Sequence, residues 1–332
     1  MGNIVRSSIV ARGLTAAFVA CFMCACLGLS ACATSSQSAA PSSQDQSASS
    51  QAEEASVAEP AVTDAPAEST DGVTSQSLQA ALAPVATDTN MDVSITCIDL
   101  TTGATASIAG MNQMPASSLI KLAIAAAYFE CEQVGQILRD EEHTIYDYEI
   151  VGENSVYKDM IGATVTMGDI VNKMLSYNDD TAANIIIERL GMYTINNSLQ
   201  NLGFKNIQLT TRILAPNNAR GTNDNAMTSD DVASLLQQVY QGSLVNAEAS
   251  TFIMEALRAQ QDASGGLAGL PEGTVFAHMP ASSWNSRHDV GIVEAAYPYV
   301  LVVMCSQRNA DIDDAAALDL ITRAASAAQS VY

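Results

Sequence analysis

Pro115-Ala116-Ser117-Ser118-Leu119-Ile120-Lys121, running on through Leu122-Ala123-Ile124-Ala125-Ala126-Ala127-Tyr128-Phe129, is the stretch on which the fold turns. Past Ser118 nearly every residue is apolar, on every face that a helix presents. The pattern predicts a helix to about residue 133, buried all round rather than along one stripe. Such a helix belongs at the centre of a domain. Its apolar run carries one charge, Lys121, three residues after Ser118 and so on the same helical face. A lysine held out of water beside a serine can lose its proton and serve as the base that makes the hydroxyl nucleophilic. Amides at the helix start can also stabilise a developing oxyanion. Ser-x-x-Lys is common by chance, and a capping serine with a snorkelling lysine would explain it without chemistry. The apolar surroundings of Lys121 tilt the reading toward chemistry.

Working outward, residues 78 to 86 read as a short helix. Residues 92 to 100 read as a strand, turned at Thr101-Thr102-Gly103 into a hairpin partner at 105 to 109. From 134 to about 246 the periodicity is helical, with long loops. Helices are expected at 167 to 175 and 181 to 190, from Asn196-Asn197 to Gly203, after the cap Thr228-Ser229-Asp230-Asp231, and at 246 to 261. The tail returns to strands at 274 to 277, 289 to 295 and 299 to 305, then closes with a helix at 311 to 328. Strands from both ends bracket a helical middle. The economical α+β solution is one antiparallel sheet, with terminal helices on one face and a large helical insert on the other.

The first residues address the chain. Arg6 and Arg12 precede an apolar or small stretch, 14 to 29, which ends in Leu29-Ser30-Ala31-Cys32. That order is an export signal, too short for a full membrane span. The tetrad resembles a bacterial lipobox, which makes Cys32 the expected lipidation site, with the protein on the outer face of the cell membrane. Residues 33 to about 77 are Ser, Ala, Gln, Glu and Pro with almost no core material. They are read as a flexible tether. The folded domain is therefore expected at 78 to 332, and a chain of that length can bury about 70% of its unfolded surface. The whole chain has 14 basic and 36 acidic residues, a net charge of -22. Nucleic acid is an unsuitable partner for such a surface. Cys97, Cys131 and Cys305 have no metal-ligand spacing, and at least one is expected as a buried free thiol. No phosphate loop or nucleotide fingerprint occurs, so no cofactor or metal is expected. A monomer is expected, and His143 is read as a surface residue.

The segment Pro115-Ala116-Ser117-Ser118-Leu119-Ile120-Lys121 resembles the first motif of the penicillin-recognising serine hydrolases, nearest the class A β-lactamases. Met174-Leu175-Ser176-Tyr177-Asn178-Asp179-Asp180-Thr181-Ala182-Ala183-Asn184 resembles the class A segment Ser-Asp-Asn-Thr-Ala-Ala-Asn with its lead-in. Arg287-His288-Asp289-Val290-Gly291-Ile292-Val293 is similar to the strand after the family's Lys-Thr-Gly strand. Arg212, Asn218 and residues 228 to 236 resemble its omega-loop region and the helix beyond. The similarity is collinear over 85 to 328. It implies a β-lactamase/transpeptidase-like fold with a five-stranded antiparallel sheet. It also implies Ser118 as nucleophile and Lys121 as base, acting on β-lactams or acyl-D-Ala-D-Ala stem peptides.

Several motif positions depart from the family. Two registers are open at the second motif. Ungapped, Asn178 replaces the family's serine and Asp180 its asparagine. Shifted by two, Ser176-Tyr177-Asn178 reproduces Ser-x-Asn. The ungapped register keeps the helix intact and is preferred. The third motif falls on Met279-Pro280-Ala281, which removes the lysine that anchors a substrate carboxylate. Proline within that strand suits only an edge. His278, Trp284 and Arg287 are candidates for substrate binding there, the first and last as sources of positive charge. The deacylating glutamate corresponds to Leu214. These losses imply slow or impaired turnover. They also open a second reading, a non-catalytic binding or scaffold lipoprotein on the same fold.

Overall fold

The computed structural model describes residues 72–87, 89–214, 225–260 and 265–332. The signal, Cys32, most of the tether and Asn218 lie outside the described residues. In chain order the elements are α1 (Ser75–Leu82), β1 (Asp92–Asp99), β2 (Thr105–Ile108), β3 (Met114–Pro115), α2 (Ile120–Gln133), β4 (Glu142–Thr144) and β5 (Thr164–Thr166). They continue with α3 (Met167–Ser176), α4 (Asp180–Leu190), α5 (Met192–Asn201), β6 (Ala226–Met227), α6 (Ser229–Tyr240) and α7 (Ala247–Arg258). The chain closes with β7 (Val275–Ser283), β8 (Ser286–Glu294), β9 (Tyr299–Ser306) and α8 (Asp314–Gln329).

Five strands form one antiparallel sheet in the order β2-β1-β9-β8-β7. Alternation along β9 shows how its two faces are used. Leu301, Val303 and Cys305 pack with Leu78 and Leu82 of α1 and with Leu320 and Ile321 of α8. Val300, Val302 and Met304 pack with the helical insert. The strand is buried throughout because both faces are covered. The α+β architecture with a five-stranded sheet is thus the one expected, with terminal helices on one face and the insert on the other.

Helix α2 lies at the centre of the insert, and eleven of its residues, including Lys121, are buried. Its apolar side chains leave no face for water, as the composition of 119 to 129 requires. Helix α4 starts at Asp179, whose carboxylate accepts from the Ala182 amide at 2.8 Å. Its second oxygen accepts from the Val156 amide at 2.8 Å. One buried aspartate therefore caps α4 and also holds the 151–156 loop.

The structure departs from the sequence reading in several places: the short strands β4, β5 and β6 lie in the stretch read as helices and loops, and three element bounds differ. Helix α1 begins at Ser75, inside the stretch read as tether, and Thr74 caps it by accepting from the Ser77 amide. The polar composition hid it, because only Leu78 and Leu82 dock it on the sheet. Strand β7 runs on to Ser283, well past 277, through a segment whose proline and small residues lack strand propensity; pairing with β8 carries it. Helix α5 begins at Met192, four residues before Asn196-Asn197. Asn196 instead brackets Leu209, donating to its carbonyl and accepting from its amide. All three described cysteines are free and buried.

Candidate active site

Two irregular stretches and one strand edge meet at the start of α2. The first is 116–119. Ser117 sits in the left-handed region at φ 47, which is uncommon for a non-glycine residue. A short 3-10 turn, Ser117–Leu119, leads into α2 and leaves Ser118 half-buried. The Ser117 hydroxyl lies 2.5 Å from that of Ser286, which lies 2.7 Å from that of Ser283. This hydroxyl chain ties the strained residue to the β7–β8 hairpin. His288 adds a second tie, donating from Nε2 to the Pro115 carbonyl at 2.8 Å and accepting at Nδ1 from the Cys305 amide at 3.2 Å. Those partners define the neutral tautomer. Complete burial drives its pKa from 6.5 down to about 4.

The second stretch is the turn between α3 and α4. Asn178 is also left-handed, at φ 53, a conformation that asparagine tolerates well. The turn aims two Asn178 oxygens at one point. Lys121 Nζ donates to the Asn178 carbonyl at 2.7 Å and to its Oδ1 at 2.6 Å. Asn178 Nδ2 donates to the Pro280 carbonyl at 3.3 Å, which fixes the orientation of the amide. The third partner of Nζ is Asp180 Oδ1 at 2.6 Å. Ser118 Oγ is more distant, at 3.4 Å. The Lys121 side chain is 0% exposed, whereas that of Asp180 is 26% exposed. Burial lowers the Lys121 pKa, against the opposing pull of Asp180 and then Asp179.

Asp180 also lines a pocket of about 260 Å³ with Gly152, Glu153, Tyr177, Asn178 and Leu214. Leu214 is 60% exposed, at φ 53, on a loop held by Asn184. Asn184 donates to the Ile213 carbonyl and accepts from its amide, each at 2.9 Å. Arg212 pairs with Glu188 at 2.9 Å.

A model of the beta-lactamase enzyme family matches residues 76–332. The chain belongs to that family. Beta-lactamase AER-1 of Aeromonas hydrophila is 24% identical over 231 residues, 66% of this chain and 75% of that protein. Beta-lactamase CARB-4 of Pseudomonas aeruginosa is 25% identical over 231 residues, 67% and 79% of the two chains. Among solved structures, an ancestral class A beta-lactamase superposes with a TM-score of 0.70 at 20% identity, covering 77% of this chain and all of the other. PBP-A superposes at 0.69 with 22% identity, covering 77% and 95%. These likenesses agree with the class A fold.

Within this family fold, the placement of the residues singled out from sequence is uneven. Ser118, Lys121, Asn178 and Asp180 converge around Nζ. Ser176 does not join them; its hydroxyl turns back to the Asn172 carbonyl at 2.9 Å, one helical turn away. The α3–α4 turn therefore presents Asn178 and Asp180 to Lys121. Two of the substrate-binding candidates, His278 and Arg287, point elsewhere. His278 is buried, stacked on Phe276, with Nδ1 2.9 Å from Asp289. Arg287 reaches Asp314 at 3.5 Å. Strand alternation is the reason: His278 and Arg287 project to the α8 side of the sheet, whereas Met279 projects to the insert side and is fully buried. Trp284 lies at the β7–β8 turn, where its carbonyl accepts from the Ile312 amide. β7 is an edge strand, paired only with β8, which accommodates Pro280. His143 is half-buried beside Glu149 at 3.0 Å rather than simply on the surface.

Sequence reasoning missed His288 and the Ser117–Ser286–Ser283 chain. A histidine between Arg287 and Asp289, at the head of the apolar run 290 to 293, was the available signal for His288. Nothing local marks the serines, which meet across 169 residues of chain.

Proposed function

We propose that the chain captures β-lactams, or the acyl-D-Ala-D-Ala ends of cell-wall stem peptides, as esters of Ser118 and releases them slowly. The observation that carries this reading is a fully buried lysine amine 3.4 Å from a half-buried serine hydroxyl at the start of a central helix. In the capture step, the Ser118 O–H bond breaks and the Oγ–carbonyl bond forms. The carbonyl–nitrogen bond opens, and the proton travels through Lys121 to the leaving nitrogen. A mutant of the PBP-A neighbour is described as an acyl-enzyme complex with penicillin G. Slow release follows from Leu214, whose hydrocarbon side chain cannot activate water.

A second reading is a non-catalytic binding lipoprotein. It is favoured by Met279, a buried thioether at the position where the family resemblance implies a carboxylate-anchoring lysine. Intact-protein mass after exposure to a penicillin tests both. The expected result is an adduct of the penicillin's own mass, absent from Ser118→Ala, that persists for many minutes. No adduct at millimolar penicillin would leave the binding reading.

The N-terminal pattern adds a lipid anchor at Cys32 on the outer face of the membrane, with residues 33 to about 74 as spacer. Cys32→Ala should move the protein from the detergent phase to the aqueous phase. Identical partitioning of the two proteins would remove the anchor.

A further inference from the structure

An ammonium has three hydrogens, and Lys121 Nζ has three short acceptors: Asn178 O, Asn178 Oδ1 and Asp180 Oδ1 at 2.6–2.7 Å. Two of them, the backbone carbonyl and the side-chain amide oxygen, cannot take a proton at ordinary pH. Asn178 is also locked, because its Nδ2 is bonded to the Pro280 carbonyl. Two of the three hydrogens on Nζ are therefore pinned. The third lies between the amine and a carboxylate, and it alone has somewhere to go. Ser118 Oγ, at 3.4 Å, is the remaining polar neighbour and receives none of the short bonds. In its resting ammonium form the lysine has no lone pair for the serine.

We propose that Asp180 is the proton partner that turns Lys121 into a base: it takes the ammonium proton, so that the amine can take the proton of Ser118. The inference rests on the acyl-serine reading above. The step balances within the pair. The Nζ–H bond to the shared hydrogen breaks and an O–H bond forms on Asp180, which leaves a neutral amine and a carboxylic acid with no change in net charge. The amine lone pair then accepts the Ser118 proton as Oγ bonds the acyl carbon. The regenerated ammonium delivers a proton to the leaving nitrogen, and the acid of Asp180 returns its proton to the amine. No co-reactant enters. Because the transfer conserves charge inside a buried site, it avoids exposing an ion to a poorly solvating interior. Asp180 is suited to the task by place. Asp179, not Asp180, caps the helix, and Oδ2 of Asp180 is left facing the pocket beside Gly152 and Leu214. Solvent can then reset the pair's protonation.

The test is Asp180→Asn, which keeps size and leaves an oxygen acceptor for Lys121. Acylation by penicillin is followed by quenched-flow mass measurement from pH 4.5 to 9.5, alongside Asp180→Glu and the wild type. A pair that shares one proton stays active to low pH, whereas a lone lysine must lose its proton to solvent first. Asp180→Asn should therefore acylate at least 10-fold more slowly at pH 6. Its acid limb should move to higher pH, with recovery toward the wild-type rate under alkaline conditions. Asp180→Glu should keep the wild-type shape of profile. Near-ultraviolet circular dichroism confirms that each variant is folded. An Asp180→Asn profile that coincides with wild type, or a faster rate at every pH, overturns the relay while leaving the acyl-serine reading intact. A uniform slowing with an unmoved acid limb also overturns it, since that marks a purely positioning role. A wild type that forms no adduct overturns the acyl-serine reading, and the relay with it.

Discussion

The cleft has two unlike walls. On the helical wall, formed by the start of α2 and the α3–α4 turn, Lys121 is held at short range by Asn178 and Asp180, and Asp179 by two amides. The strand wall, β7 at 279 to 281, offers a buried methionine, a proline and an alanine, and the 213–214 loop in the pocket beside Asp180 adds an exposed leucine. On the proposed reading the helical wall makes the nucleophile, while none of the described residues 279 to 281 and 213–214 carries the charge that would anchor an acidic substrate or the acid that would release an ester. The difference separates two capacities that usually travel together in a hydrolase: forming the covalent bond, and holding and clearing what is bound.

The largest effects should come from the helical wall. Ser118→Ala should abolish the penicillin adduct completely. Lys121→Met, which keeps approximate length and the apolar fit, should slow acylation on the order of 10²- to 10⁴-fold, the usual worth of a positioned base. Stopped-flow acylation measures both. If Lys121→Met acylates at the wild-type rate, the buried lysine is structural and the contrast between the walls collapses.

His288 joins the two walls and should show next. Its folded pKa is about 4 against an ordinary 6.5, so between these values the folded chain binds fewer protons than the unfolded one. Stability should be full above about pH 6.5 and decline as pH falls toward 4, by up to about 3 kcal/mol. Urea melts at pH 7 and 4.5 measure the loss. His288→Gln should start from a lower stability at pH 7 and lose less on acidification. An equal loss in both proteins would assign the slope to other groups.

A smaller effect should follow from repairing the 213–214 loop. Leu214→Glu places a carboxylate in the pocket beside Asp180, and the adduct's lifetime should shorten by about 10-fold, roughly 1.4 kcal/mol of barrier. An unchanged lifetime would mean that the loop does not hold its side chain over the ester. Asn184→Ala should act on stability and leave the chemistry of the ester least changed. That variant releases two hydrogen bonds to Ile213 and should cost about 1–3 kcal/mol of stability. Thermal unfolding would register it, and a loss below 0.5 kcal/mol would show the loop is held by other contacts.

Much of this was legible in the residues themselves. The all-round apolar run at 119 to 129 requires a buried central helix, because no stripe of it can face water. The i, i+3 spacing of Ser118 and Lys121 places them on one helical face for the same local reason. Strand alternation and turn residues at both ends call for one sheet closed by both termini, and the family motifs are collinear with that order. The start of helix α1 and the far half of β7 were not legible, because docking and pairing hold them rather than their composition.

Tertiary structure decided the rest. Whether Ser176 or Asn178 meets the lysine depends on a left-handed turn and on packing across 57 residues, which no local pattern encodes. Whether His278 and Arg287 could stand in for the missing lysine depends on which face of the sheet they occupy. Strand parity places both on the side away from Ser118, and a one-residue shift would have reversed it. The hydroxyl chain from Ser117 to Ser283 and the clamp of His288 on Pro115 exist only because β8 lies beside the start of α2. Short-range chemistry follows from spacing along the chain. Partnership between distant residues follows from register and packing, where single side chains carry no signal until the sheet is assembled.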